Sequence, residues 1–268
     1  MAGLTLNVDI VSLSGSKTPV LITHGLFGAG KNWGSIAKLL AVDRPVAVVD
    51  LRNHGTSPWS DAMNYLVMAE DLAKAARDTF GGPAILIGHS MGGKTAMATA
   101  LLHESVVAGV AVIDIAPIDD DLTARQDAYS GYIAAMKSVD LSAILRRRDV
   151  EIALQKTVSS AGLRAFFAQN LILDSKDGPR WRLNLSVLDQ SLPKLIGWPE
   201  ELAEKQFIGP SFALYGGASD FVTRIGEAAL KKHFPAIKLQ SMDDAGHWLH
   251  AEKPKETAAA LLGWLATN

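Results

Sequence analysis

The 268-residue sequence contains no cysteine. Disulfides, thiolate metal centres and cysteine nucleophiles are therefore excluded, and the composition suits a reducing compartment. Charge of one sign is also scarce: 26 Lys and Arg against 28 Asp and Glu leave a formal net charge of −2. Nucleic-acid binding needs a basic face. The sole basic run, Arg146-Arg147-Arg148, is short and reads as a solvated helix end. Long apolar runs are missing. The longest, Val106 to Ile113, falls far short of the roughly 20 residues a membrane helix requires. From Met1 onward there is no basic segment followed by a continuous apolar one, so no secretory signal is visible. Repeats and low-complexity tracts are lacking too. These absences predict a soluble, cytoplasmic protein with a small-molecule substrate and neither nucleic acid nor membrane as partner.

What is present is alternation. Short apolar runs at Pro19–Thr23, Pro45–Leu51, Ala84–Ile87 and Val106–Ile115 read as strands. Between them, Trp33–Leu40 and the series Tyr65, Met68, Leu72, Ala76, Phe80 carry helical spacing. Continuous apolar strands separated by amphipathic helices predict an α/β fold, with a mostly parallel central sheet covered on both faces. The alternation stops after Pro117. Residues 118–207 read as mostly helical, and strand–helix alternation resumes with Ser211–Tyr215, Val222–Phe234, Ala236–Gln240 and a last helix opening at Pro254. The expected organisation is a core of residues 1–117 and 208–268 with a helical cap insert at 118–207. Such an insert would sit over the strand ends, where open parallel sheets bind ligands.

The octet Gly88-His89-Ser90-Met91-Gly92-Gly93-Lys94-Thr95 satisfies two motifs at once. As G-x-S-x-G it is a nucleophile elbow presenting Ser90. As G-x-x-x-x-G-K-[ST] it is a phosphate-binding loop, with Lys94 and Thr95 serving nucleotide and Mg²⁺. Asp50 and Asp114, each closing an apolar run, could supply the acidic metal site the second reading needs. Gly25 to Asn32 is a near-match to the same loop that fails at its last residue.

The hydrolase reading explains more of the chain. A serine hydroxyl needs a general base, and His247 lies just past the last predicted strand. The tetrahedral intermediate needs backbone N–H donors. Met91 offers one, and the His24-Gly25-Leu26-Phe27-Gly28 loop offers another at Leu26. The nucleotide reading leaves His24-Gly25 and Gly246-His247 without a role. His247 also needs a carboxylate on its other ring nitrogen. Asp114 and Asp220 both qualify by position. The alternative role for Asp220 is a helix N-cap, and for Asp114 a hydrogen-bonded turn before the insert.

Four segments together resemble the α/β-hydrolase superfamily and, within it, the small bacterial YbfF-type carboxylesterases: His24–Gly28, Asp50-Leu51-Arg52-Asn53-His54-Gly55, Gly88–Lys94 and Gly246–Pro254. Trp181-Arg182 and Gly197-Trp198 are similar to that group as well. The resemblance implies a serine carboxylesterase acting on short- to medium-chain acyl esters through an acyl-enzyme, with no cofactor and no metal. It favours Asp114 as the triad acid, because the group carries its acid in an Ile-Asp-Ile-Ala-Pro segment. This chain departs from that pattern by also keeping Asp220. Thioester cleavage and carbon–carbon cleavage of a diketone on the same triad are the enzymatic alternatives. A nucleotide hydrolase and a non-catalytic binding protein are the remote ones.

The other histidines read as supporting residues: His89 in packing beside the nucleophile, His54 in its turn, His24 under the oxyanion loop. His103 and His233 read as surface helix residues. His247 and His250 stand three apart near Asp243 and Asp244, but without a zincin pattern. Ser57 and Lys94 read as structural. Tyr129, Tyr132, Phe166, Phe167, Trp181 and Trp198 either build the insert's own core or line an acyl or alcohol pocket.

Overall fold

Strands buried on both faces lose the polar–apolar alternation of half-exposed ones, and four such strands build the centre of this protein. The computed structural model describes residues 3–119, 122–176 and 178–268. In chain order the core begins with β1 (Val8–Ser12), β2 (Val20–Thr23), α1 (Gly34–Leu40), β3 (Val46–Val49) and α2 (Tyr65–Phe80). It continues with β4 (Ala84–His89), α3 (Met91–Leu102) and β5 (Val107–Ile113). The chain then leaves the sheet for α4 (Leu122–Lys137), α5 (Arg147–Ala153), α6 (Ala161–Ala168), β6 (Leu171–Ile172), β7 (Arg180–Trp181) and α7 (Leu185–Ile196). It returns through β8 (Ser211–Gly216), α8 (Arg224–His233), β9 (Ile237–Met242), α9 (Leu249–Glu252) and α10 (Pro254–Leu265).

The large sheet has the order β1-β3-β2-β4-β5-β8-β9. Every pairing is parallel except β1 with β3, which is antiparallel. Side chains alternate between its two faces. Val20, Ile22, Val46, Val48, Ile85 and Ile87 pack with α1 and α10 through Ile36, Leu40, Leu261 and Trp264. Leu21, Ala47, Val49, Leu86, Val110 and Val112 pack on the other face with α2, α3 and the segment between β5 and β8. Helix α3 is buried from Met91 to Leu101, because sheet, α2 and the following helices enclose it.

Local signals fix the element ends. The Asn64 side chain caps α2 by accepting from the Leu66 and Val67 amides. Gly81 closes that helix in the left-handed region at φ 68°. The segment predicted as mostly helical also carries the small antiparallel pair β6–β7, in which Leu171 faces Trp181. Among the described residues no helix is long and apolar enough to cross a membrane.

Candidate active site

Ser90 occupies the single residue between β4 and α3. Its backbone sits at φ 52° and ψ −122°, a region L-residues rarely occupy, at an order-of-magnitude cost of about 1–3 kcal/mol. Two glycines make the turn possible. A Cβ on Gly88 would lie 2.2 Å from the Gly92 carbonyl oxygen, and one on Gly92 would lie 2.5 Å from the His24 carbonyl oxygen. The strained turn lifts Ser90 to the rim of the sheet, where its side chain lines a cavity. Met91 is the first residue of α3, so its N–H has no acceptor within the helix.

His247 follows β9. Its Nδ1 lies 2.7 Å from Asp114 Oδ2. Asp114 directly follows β5 and is buried. Its Oδ1 accepts the Gly216 N–H at 2.9 Å, and Oδ2 also accepts the Ser219 hydroxyl. Asp220 points elsewhere: its side chain is 83% exposed and pairs with Arg125 at 3.2 Å. It does not cap α8 either. Thr223 is the N-cap, accepting from the Gly226 amide. Motif reading assigned no role to Ser219 or Phe221, although both flank Asp220 in the same loop. Phe221 stacks on the His247 ring at 3.5 Å and 11°, and the Arg125 guanidinium carbon lies 3.6 Å from the centre of the Phe221 ring.

The early glycine loop is held by two neutral histidines. His24 Nδ1 donates to the Gly25 carbonyl at 2.8 Å while its Nε2 accepts the Leu51 amide at 3.0 Å. His54 Nδ1 donates to the Arg52 carbonyl at 2.9 Å while its Nε2 accepts the Phe27 amide at 3.3 Å. Burial lowers the pKa of His24 and brings that of His54 to about 3. Protonating either ring would also break the bond its Nε2 accepts. From the segment between β5 and β8, Asn170 Nδ2 donates to the Phe27 carbonyl at 2.8 Å, tying that segment to the same loop.

His89 is buried against His247 and His250, with ring centres 4.7 and 4.4 Å away. Its Nε2 donates to the His247 carbonyl at 2.8 Å, joining the elbow to the loop that carries His247. Burial, then the neighbouring His250 and His247, push its pKa well below the ordinary value. His250 stacks on Trp33 at 4.7 Å, and burial lowers its pKa to about 4. Among the described residues no three His, Asp or Glu gather as a metal-binding group. His103 is partly exposed at the end of α3. His233 departs from the surface reading: it is buried at the end of α8, where Nδ1 donates to the Lys205 carbonyl at 2.8 Å and the ring packs near Trp198.

The residues of the phosphate-loop reading are engaged in the fold. Lys94 Nζ is buried and donates to the carbonyls of Ile118, Ile196 and Gly197 at 2.7, 2.5 and 3.0 Å. Thr95 Oγ1 donates to the Met91 carbonyl at 2.9 Å. Asp50 accepts the Gly30 and Thr56 amides at 2.7 and 2.9 Å. Ser57 Oγ donates to the Asp50 carbonyl at 2.5 Å and accepts the Asn7 amide at 2.8 Å. Asn32 Oδ1 accepts the Ala29 amide at 2.7 Å.

A cavity of about 260 Å³ opens between the strand ends and helices α4 and α6. Ser90 and His247 stand on its floor, and Leu26 and Phe27 line one wall. Tyr129, Tyr132, Leu163, Phe166 and Phe167 line the cavity from α4 and α6 together with Arg125, and Phe221 and Trp248 line it from the loops after β8 and β9. Trp181 and Trp198 are not part of this lining. Trp181 pairs in β7, and Trp198 packs by Tyr65.

Fold and site together define a hydrolase architecture, with Ser90 on a strand-to-helix elbow at a largely aromatic cavity. The chain belongs to the α/β-hydrolase family: the family model described as "alpha/beta hydrolase fold" matches residues 18–254. Its similarities include "sn-1-specific diacylglycerol lipase ABHD11" of Danio rerio, 35% identical over 98% of this chain and 83% of that protein. Esterase YbfF of Escherichia coli is 32% identical over 93% of this chain and 94% of that protein. Among solved structures, a marine microorganism esterase superposes with a TM-score of 0.91 at 34% identity, covering 98% of this chain and 100% of that one. The likeness to YbfF-type esterases drawn from the motifs therefore stands, within a family of esterase and lipase relatives.

Proposed function

We propose that this protein is a serine carboxylesterase whose triad is Ser90, His247 and Asp114, with residues 118–207 acting as a helical cap over the substrate. The observation that carries the proposal is the 2.7 Å bond from His247 Nδ1 to the buried Asp114 carboxylate, with Ser90 lining the same cavity as that imidazole. Asp114 holds the Nδ1–H tautomer, leaving Nε2 as the base.

Ser90 Oγ attacks the ester carbonyl carbon while His247 Nε2 takes its proton. The Leu26 and Met91 amides hold the oxyanion. Collapse of the intermediate breaks the bond to the alcohol oxygen, and His247 returns the proton to that oxygen. Water, deprotonated by His247, then attacks the acyl-enzyme and releases the acid and Ser90. Each step uses only this chain's own groups and water. The esterase and lipase names of the relatives support an ester as the substrate class.

The test is hydrolysis of p-nitrophenyl esters by wild type and Ser90→Ala, with fluorophosphonate labelling of the wild type. Turnover and labelling that both vanish in the variant are expected. Full activity in Ser90→Ala would end the proposal. Thioester and 1,5-diketone substrates assayed alongside report the alternative chemistries of the same triad.

A further inference from the structure

Two cavities, not one, meet at Ser90. Besides the 260 Å³ cavity, a smaller space of about 20 Å³ also reaches Ser90. Both are lined by Leu26, Ser90, Tyr129 and Phe221. Among their differences, His247 lines the large cavity and does not line the small one. The small one is walled instead by Tyr65, Met91, Lys94, Ile115, Leu195 and Ile196.

Resting on the triad reading above, we infer that the small cavity is the acyl site and the large one the alcohol site, so that the preferred substrates are acetyl-sized esters of bulky apolar alcohols. The argument is stereochemical. The tetrahedral carbon has four arms. One is Ser90 Oγ and one is the oxyanion, directed at the Leu26 and Met91 amides. The leaving oxygen must face His247, because His247 protonates it. That places the alcohol in the cavity His247 lines. The acyl carbon takes the remaining direction, away from the imidazole and into the small cavity. A volume of about 20 Å³ is enough for one group close to the size of a water molecule, which fits a methyl and little more.

The small cavity is also held against dilation. The Tyr65 hydroxyl donates to the Leu195 carbonyl at 2.5 Å. Lys94 Nζ donates to the Ile196 and Gly197 carbonyls. The end of α7 that forms the wall is thus pinned from the core by two buried side chains. The lysine of the phosphate-loop-like octet thereby acts as a positioning residue for acyl selectivity. The large cavity has no such narrow bound. Its aromatic and aliphatic lining gives apolar area to a large leaving group.

The experiment is two series of esters assayed for kcat/KM. With p-nitrophenol fixed, the acyl chain runs from acetate to decanoate. With acetate fixed, the alcohol runs from methanol through benzyl alcohol to 2-naphthol, the phenolic and alcoholic members being ranked separately. Wild type should fall about 10- to 100-fold from acetate to hexanoate, the overpacking effect of adding methylenes to a filled site. It should rise with apolar size within each class of leaving group. Leu195→Ala, and independently Ile196→Ala, should raise the hexanoate-to-acetate ratio at least about 10-fold. Phe166→Ala should alter the alcohol series and leave that ratio alone. A wild type that prefers hexanoate or longer overturns the inference without needing any variant. So does a Phe166→Ala change that moves acyl preference while Leu195→Ala does not, since that reverses the two sites. Fluorophosphonate labelling of Ser90 with no acetate turnover sinks this inference alone. Absent labelling, or turnover that survives Ser90→Ala, sinks the triad reading beneath it.

Discussion

Lowering the pH from 7 to 5 should destabilise this protein through histidines that the fold keeps neutral. His54 has a pKa of about 3 and His250 of about 4 in the folded chain, in both cases chiefly because burial disfavours the charged ring. The unfolded value is about 6.5. Below that value the unfolded chain binds protons that the folded chain refuses, so stability rises with pH across the window. The contribution is complete above the unfolded pKa. It is lost progressively as pH falls from about 6.5 toward the folded values of about 4 for His250 and about 3 for His54. Between pH 7 and pH 5 each of the two should cost about 2 kcal/mol. The shifts of His24 and His89 have the same sign and the same leading cause, burial, so they add to the loss. Four kcal/mol or so is a large share of the roughly 5–15 kcal/mol by which domains are stable.

Urea unfolding at pH 7, 6 and 5 measures this directly. The midpoint should fall steadily, with net proton uptake on unfolding near pH 5. A His54→Gln variant should show a shallower pH dependence, because Gln cannot titrate. A midpoint that stays constant, or rises, between pH 7 and 5 would refute the reasoning. So would a variant with the full wild-type slope.

Other substitutions test the site by parts. Asp114→Asn should lower kcat roughly 10⁴-fold, while Asp220→Asn, removing the exposed partner of the pair with Arg125, should stay near wild type; steady-state kinetics of the two decide the triad acid. Phe221→Leu should leave folding intact and lower kcat more than it changes KM if, as proposed, His247 is the base that the stacked ring orients; a KM effect alone would deny that role. His89→Leu removes the donor to the His247 carbonyl and should lower kcat, with recovery in His89→Gln if the hydrogen bond is what matters. Lys94→Met leaves three buried carbonyls without their donor and should cost about 3–5 kcal/mol in urea unfolding; a loss under 1 kcal/mol would contradict the clamp.

The sequence was most legible where physics left one solution. Strands β2 to β5 are buried on both faces and read as unbroken apolar runs. Helix α2 carries its own cap and stop, and α10 begins at Pro254 as its proline predicts. Strand β1 was silent. It is a half-exposed edge strand whose Asp9 and Ser12 break any apolar run, and it exists because it pairs with β3. His233 misled because its position near the end of an amphipathic helix looks exposed, while Lys205 and Trp198, distant in sequence, cover it. Which insert aromatics line the cavity depended on how α4 and α6 settle over the strand ends, and no local pattern carries that.

The ambiguity between Asp114 and Asp220 has a sharper cause. They follow β5 and β8, which are neighbours in the sheet, so position alone places both near His247. Backbone direction separates them, and the strain is visible only in three dimensions. Among the described residues, five that are not glycine have positive φ: Phe27, Asn53, Ser90, Asp114 and Asp244. Each stands shortly after the end of a sheet strand: β2, β3, β4, β5 and β9 respectively. Strain of about 1–3 kcal/mol per residue survives only where surrounding structure over-determines it. Among the described residues it is confined to one rim, the rim that carries Ser90, the carboxylate at His247 and the glycine loop. Asp220 is not among these residues, and its carboxylate reaches solvent and Arg125. Strained turns at the strand ends thus set Ser90 at the cavity and Asp114 beneath His247, whereas Asp220 turns out to solvent and Arg125.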